Sequence, residues 1–218
     1  MKNPHHVLPA FLGFLSICMV AGCSSQAAPI TTMPGAAAQV GSTDIKQALM
    51  SRSYISAEAA KGALLYAADG EDVDVFTYPK GENAGQLTGL DVRGGICSDT
   101  KGDIFLPVEI SASASVIYEY AHGGTSPIAT LSDSGLASAC SYDSTTGNLA
   151  VANNGPNVAI YIEAQGNPII YATTSVPALF CAYDSRGNLF IDDGLDTNAL
   201  AELPRGGSSF NEIRGGPA

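Results

Sequence analysis

Three observations predict an all-β, propeller-like fold. First, the chain repeats itself, with "CSYDSTTGNLAVANNG" at 140–155 and "CAYDSRGNLFIDDG" from 181. Second, the repeating unit has the size of a propeller blade: the glycines that open its first apolar run, Gly62, Gly102, Gly147 and Gly187, are 40, 45 and 40 residues apart, and about 40 residues hold four short strands and their turns. Third, the apolar runs are short, β-branched and aromatic ("LLYAA", "DVFTY", "VIYEY", "VAIYI", "IIYAT"), a composition that favours strands over helices.

The chain begins with a weakly basic start (Lys2, His5, His6) and an apolar stretch from about Val7 to Val20. This has the form of a secretory signal peptide over 1–22, too short for a comfortable membrane span. Its ending "VAGC", Val20–Cys23, resembles the bacterial lipobox. That resemblance implies cleavage before Cys23 and a lipid on its thiol; Ser24 in the next position implies the outer membrane where the host has one. The protein is therefore expected to be exported and lipid-anchored in the cell envelope.

Residues 23–61 are expected to form a lipidated tether and lead-in. Positions 24–42 are small, polar and broken by Pro29 and Pro34, and bury too little apolar surface to order themselves. Residues 43–60 predict a short helix capped by Thr43 or Asp44, then an extended segment near Tyr54.

The repeats fill 62–218, as units 62–101, 102–146, 147–186 and 187–218. Each closes its second apolar run on another glycine, Gly81, Gly123, Gly166 and Gly206. Turns from Asp99 to Gly102 and from Asp184 to Gly187, with a longer one from Asp143 to Gly147, need aspartate to bond its own downstream backbone and glycine to supply positive φ. With that pattern in view, "YDSRGNLFIDD" and "YDSTTGNLAVANN" resemble the core of NHL-type and gluconolactonase-like six-bladed propeller repeats. Fewer than four complete units are present, so the expectation is a partial or truncated propeller. Closure by a strand from Tyr54–Ala59, or by two chains together, is the alternative.

Charge narrows the partners. Without the signal peptide the chain keeps nine Lys and Arg against 21 Asp and Glu, which disfavours nucleic acid and anionic membrane surfaces. Membrane attachment is expected through the lipid only, and the ligand is expected to be a protein or a small molecule. Outside the signal peptide the only histidine is His122, in a turn where the other units have Lys80, Gln165 and Arg205, and it is read as a solvated loop residue. Cys97, Cys140 and Cys181 recur with the repeat and are read as buried thiols, with one bridge between neighbouring units as the alternative.

Polar residues gather where the first apolar run ends. Asp69, Glu109 and Asn154 share one offset, with Asp192 and Asp193 slightly earlier. Turn chemistry explains such residues without a ligand, and no cofactor is expected from them. The gluconolactonase-like resemblance implies a calcium ion held by oxygens from several blades, and Asn153, Asn154, Asp192 and Asp193 are the candidates for it. The reading is thus an exported, lipid-anchored, propeller-like binding or interaction module without a supported enzyme activity. The alternative is a degenerate or truncated calcium-dependent gluconolactonase-like hydrolase.

Overall fold

The computed structural model describes residues 47–50, 52–92, 94–173, 176–194 and 199–213. The signal peptide, Cys23, the tether and the predicted caps Thr43 and Asp44 lie outside them. Among the described residues, strands make four four-stranded antiparallel sheets, preceded by a helical turn at 47–50. The second sheet is β5 (Cys97–Ser98), β6 (Ile104–Ser111), β7 (Ala114–Tyr120) and β8 (Pro127–Asp133). The third is β9 (Ala139–Tyr142), β10 (Leu149–Ala152), β11 (Asn157–Tyr161) and β12 (Ile169–Ala172). The fourth is β13 (Phe180–Tyr183), β14 (Leu189–Asp192), β15 (Leu200–Leu203) and β16 (Asn211–Ile213). All three run in chain order across the sheet.

The first sheet departs from this plan. It contains β1 (Tyr54–Ile55), β2 (Leu64–Ala68), β3 (Val73–Thr77) and β4 (Asn83–Leu87), in the order β1-β4-β3-β2. Where the other sheets pair the strand before the glycine turn with the strand after it, β1 crosses to the far side and pairs with β4, Tyr54 opposite Gln86 and Ile55 opposite Gly85. Gly85, at φ +154, permits this: a Cβ there would sit 2.1 Å from the Tyr54 carbonyl oxygen. β2 consequently keeps a free inner edge within its sheet.

Successive sheets pack face to face, and each seam is one hydrophobic core. Between the first and second lie Tyr66, Val73, Val75 and Leu87 against Ile104, Leu106 and Tyr120. Between the second and third lie Phe105, Ile117 and Leu131 against Leu149, Val151 and Tyr161. Between the third and fourth lie Ala150, Val158 and Ile160 against Leu189, Ile191 and Leu203. Alternation along each strand makes this possible: Ile104, Leu149 and Leu189 face back to the preceding sheet, and Phe105, Ala150 and Phe190 point the other way. The sheets form an open, propeller-like arc, in which β5, β9 and β13 lie side by side as inner strands.

The turns follow the repeat. Asp99 Oδ1 accepts from the Lys101 and Asp103 N–H groups at 2.8 and 2.9 Å, and Asp184 Oδ1 from Arg186 and Asn188 at 2.9 and 2.8 Å. In the longer turn Asp143 Oδ1 accepts from Thr145 N–H at 2.9 Å. Gly102, Gly147 and Gly187 have φ of +87, +80 and +83. Gly62 is different, extended at φ −111. Unit one is one residue out of phase: Tyr66, not Leu65, takes the forward-facing place of Phe105 and Phe190, and Leu65 takes the backward-facing place of Ile104, Leu149 and Leu189. The same slip brings Asp69 into line with Asn153 and Asp193.

Candidate functional site

Polar side chains are buried at the end of the seam between the second and third sheets. Asp133, which ends β8, is 4 % exposed. Its carboxylate accepts from Gly135 N–H at 2.8 Å, from Asn153 Nδ2 at 3.2 Å and from the Tyr161 hydroxyl at 3.2 Å. That hydroxyl also lies 2.9 Å from the Ser132 carbonyl, and burial, then the Asp133 charge, pushes its pKa up. Asn153 Nδ2 donates a second bond to Asn157 Oδ1 at 2.7 Å, while Asn153 Oδ1 is buried without a partner. The arrangement holds a buried carboxylate on neutral donors and leaves one acceptor open to a donor such as water.

The four oxygen candidates differ in setting. Asn153 turns its amide nitrogen toward Asp133 and acts there as a donor. Asn154 is exposed, in a turn at φ +41. Asp192 Oδ1 accepts from Gly194 N–H, and Asp193 is buried at 6 % exposure. Asp69 caps its own turn through the N–H groups of Glu71 and Asp72, and Glu109 N–H donates to the Asp91 carbonyl. Among the described residues no group of three or more His, Cys, Asp or Glu side chains is placed to hold a metal ion. A calcium ion takes six to eight oxygens, and among the described residues Asn153 Oδ1 is the candidate oxygen left buried without a partner, so calcium stays an expectation of the resemblance.

The cysteines depart from the expected buried thiols. Cys97 and Cys140 form a disulfide across the second seam, with Cα atoms 5.6 Å apart. The backbones approach because the lead-in to β5 is glycine: Gly95 bridges to Ala139 in parallel, and a Cβ on Gly94 would overlap the Ser138 carbonyl oxygen at 1.6 Å. Cys181 remains a free thiol. Burial pushes its pKa up to about 12, the backbone of Ala152 opposing that, so it is a poor nucleophile. His122 sits in a turn and is partly exposed, and it also makes a contact. Its Nε2 lies 2.9 Å from the Gly62 carbonyl oxygen and its N–H donates to Asp103, tying the second sheet to the first.

The sequence pattern did not mark two further features. An open cleft of about 730 Å³ is lined by Leu49, Arg52, Glu71, Asp72, Thr88 and Asp91, at the edge where Thr88 Oγ1 donates to the Leu49 carbonyl. The other feature is the pair of outer faces of the arc. The face of the first sheet away from the second carries Leu65 at 53 % and Tyr54 at 58 % exposure, and the face of the fourth sheet away from the third carries Phe180 at 51 %. Their signal was present in the sequence, since Leu65 and Phe190 are apolar at positions that the inner seams bury.

No protein-family model matches the sequence, and no curated protein matches it. Among solved structures, the fold is similar to the dihydro-heme d1 dehydrogenase NirN in complex with DHE, at a TM-score of 0.52 and 12 % identity. The match covers 74 % of this chain and 36 % of that one, so the chain spans about a third of the length of the protein it matches. At this identity the likeness supports the propeller-like fold alone.

Proposed function

We propose that the protein is an interaction module, exported and held in the cell envelope by a lipid on Cys23, which binds through the end faces of its propeller-like arc. The observation that carries the reading is the exposure of Leu65 and Phe180 on those faces, where most single-chain seams would bury such side chains. The acidic composition, 21 Asp and Glu against ten Lys and Arg, supports a protein surface over nucleic acid as partner. Affinity with the NHL-type repeats rests on "YDSRGNLFIDD" and its copy alone.

Two readouts test this in cells that express the full chain. Cys23→Ser is expected to abolish acyl labelling and to release the domain from membranes; labelling that survives the substitution contradicts the anchor. Native electrophoresis of envelope extracts is expected to place the wild-type chain well above the mass of one chain, and Leu65→Asp is expected to bring it down to that mass. Wild-type protein at single-chain mass contradicts the interaction reading.

A further inference from the structure

The two end faces are the halves of a seam that the chain already builds three times. In each inner seam, a backward-facing aliphatic residue on the strand after the glycine turn is covered by the preceding sheet. Ile104 is 2 %, Leu149 0 % and Leu189 1 % exposed, against 53 % for Leu65 in the same place on the first sheet. At the other end, Phe190 pairs across strands with Glu202 as Phe105 pairs with Glu119. Phe105 is 1 % exposed and stacks on Tyr142 of the next sheet, ring centroids 5.9 Å apart, whereas Phe190 is only partly buried and has Phe180 exposed on the same face.

We propose that a second copy of this chain occupies these faces head to tail, the fourth sheet of one copy packing on the first sheet of the other. The inference rests on the interaction reading above and names its partner. The argument for a second copy is continuity with the inner seams: one end displays the forward-facing pattern and the other the backward-facing pattern, at the registers where the chain pairs them with itself. The two faces differ, so the contact is heterologous. Leu65 of one copy meets the Phe190 face of the other, as Leu149 shares a core with Phe105, and Leu65 does not meet Leu65.

Cysteine pairing in the processed protein, in a Cys181→Ala background, tests this directly, because Cys97 and Cys140 are already joined, the change removes the partly exposed free thiol, and Cys23 carries the lipid in the reading above. Leu65→Cys protein and Phe190→Cys protein, each confirmed as folded by circular dichroism, are oxidised separately and then as a mixture. Phe180→Cys serves as a second reporter on the same face should Phe190→Cys fail to fold. The expected result is a covalent dimer in the mixture and little or none in either protein alone. Absence of the mixed dimer from folded proteins, or equal dimer in each protein alone, overturns the proposal. Should envelope extracts still show a Leu65-dependent assembly, the interaction reading stands and the second copy falls.

Discussion

Cys97 and Cys140 face each other across a seam because one residue fewer separates Cys97 from its turn aspartate. The spacing is C-x-D at 97–99 and C-x-x-D at 140–143 and 181–184. Side chains alternate along a strand, so the missing residue turns Cys97 forward, to the face that meets the backward-facing Cys140. Cys181 has the spacing of Cys140 and points back with it, toward the carbonyls of Ala139 and Ala150.

The bridge closes a loop with a sequence separation of 43. Chain-entropy reasoning gives about 4 kcal/mol for a loop of that size. The double variant Cys97→Ser, Cys140→Ser is expected to lower the unfolding free energy by roughly that amount or somewhat less in a denaturant titration, with the sheets intact at low denaturant. An unchanged midpoint contradicts the bridge.

Two turn glycines should respond differently to alanine. Both have positive φ, which costs a non-glycine residue about 1–3 kcal/mol. At Gly147 the nearest atoms to an added Cβ are 3.6 Å away or more, whereas at Gly187 they are Asp143 Oδ2 at 3.1 Å and Thr145 Oγ1 at 3.2 Å. Gly187→Ala is therefore expected to destabilise more than Gly147→Ala, as read from paired melting curves. The reverse order contradicts the contact between the Gly187 turn and Asp143.

Acid should loosen the turns. Burial alone would raise the Asp143 pKa, but bonds from Thr146 and Thr145 and the charge of Arg205 hold it below the usual value of 3.8. Asp69 is lowered by the N–H groups of Asp72 and Glu71. Asp184 is lowered as well, by Asn188 and Arg186 acting against burial. A carboxylate with a depressed folded pKa adds stability that is fully present above its unfolded value and is lost as pH falls through the folded one. Stability is thus expected to fall as pH drops below 3.8, and Asp143→Asn is expected to flatten that slope. An unchanged slope contradicts the role of Asp143.

The buried polar network is testable through Asn153. Replacing it with Ala removes a donor to Asp133 and leaves that buried carboxylate less satisfied, at a cost of about 1–3 kcal/mol. Gly135→Ala should act on the same group, since its Cβ would lie 2.4 Å from Asn153 Cγ. Combined, the two changes should cost clearly less than their sum. Full additivity in denaturant titrations contradicts a shared network.

How much could be read from the sequence depends on what each residue was compared with. The propeller-like plan was legible because the repeat is strong in three units, and its closing glycines Gly81, Gly123, Gly166 and Gly206 all take positive φ, between 67 and 73°. Aligning the first unit on Gly62 hid a one-residue slip, since β2 has no partner strand before it to show the register. The path of β1 was not legible, because its pairing with β4 depends on a close approach at Gly85 that no local pattern announces. The disulfide stands in the sequence only as an alternative, because the close approach that Gly94 and Gly95 permit leaves no mark in the cysteine spacing. The end faces were missed for a simpler reason: the exposure of Leu65 appears only when its burial is set beside that of Leu149 and Leu189.

Oxidative footprinting of the full-length protein in the intact envelope tests most directly whether those faces are interaction surfaces. Tyr78, 65 % exposed in a turn, supplies the reference reactivity. The account predicts that Phe180, Phe190 and Tyr54 are strongly protected relative to Tyr78, and that Leu65→Asp removes the protection of Phe180 on the opposite end. Phe180 and Tyr54 labelled as readily as Tyr78 in the wild-type envelope would contradict it.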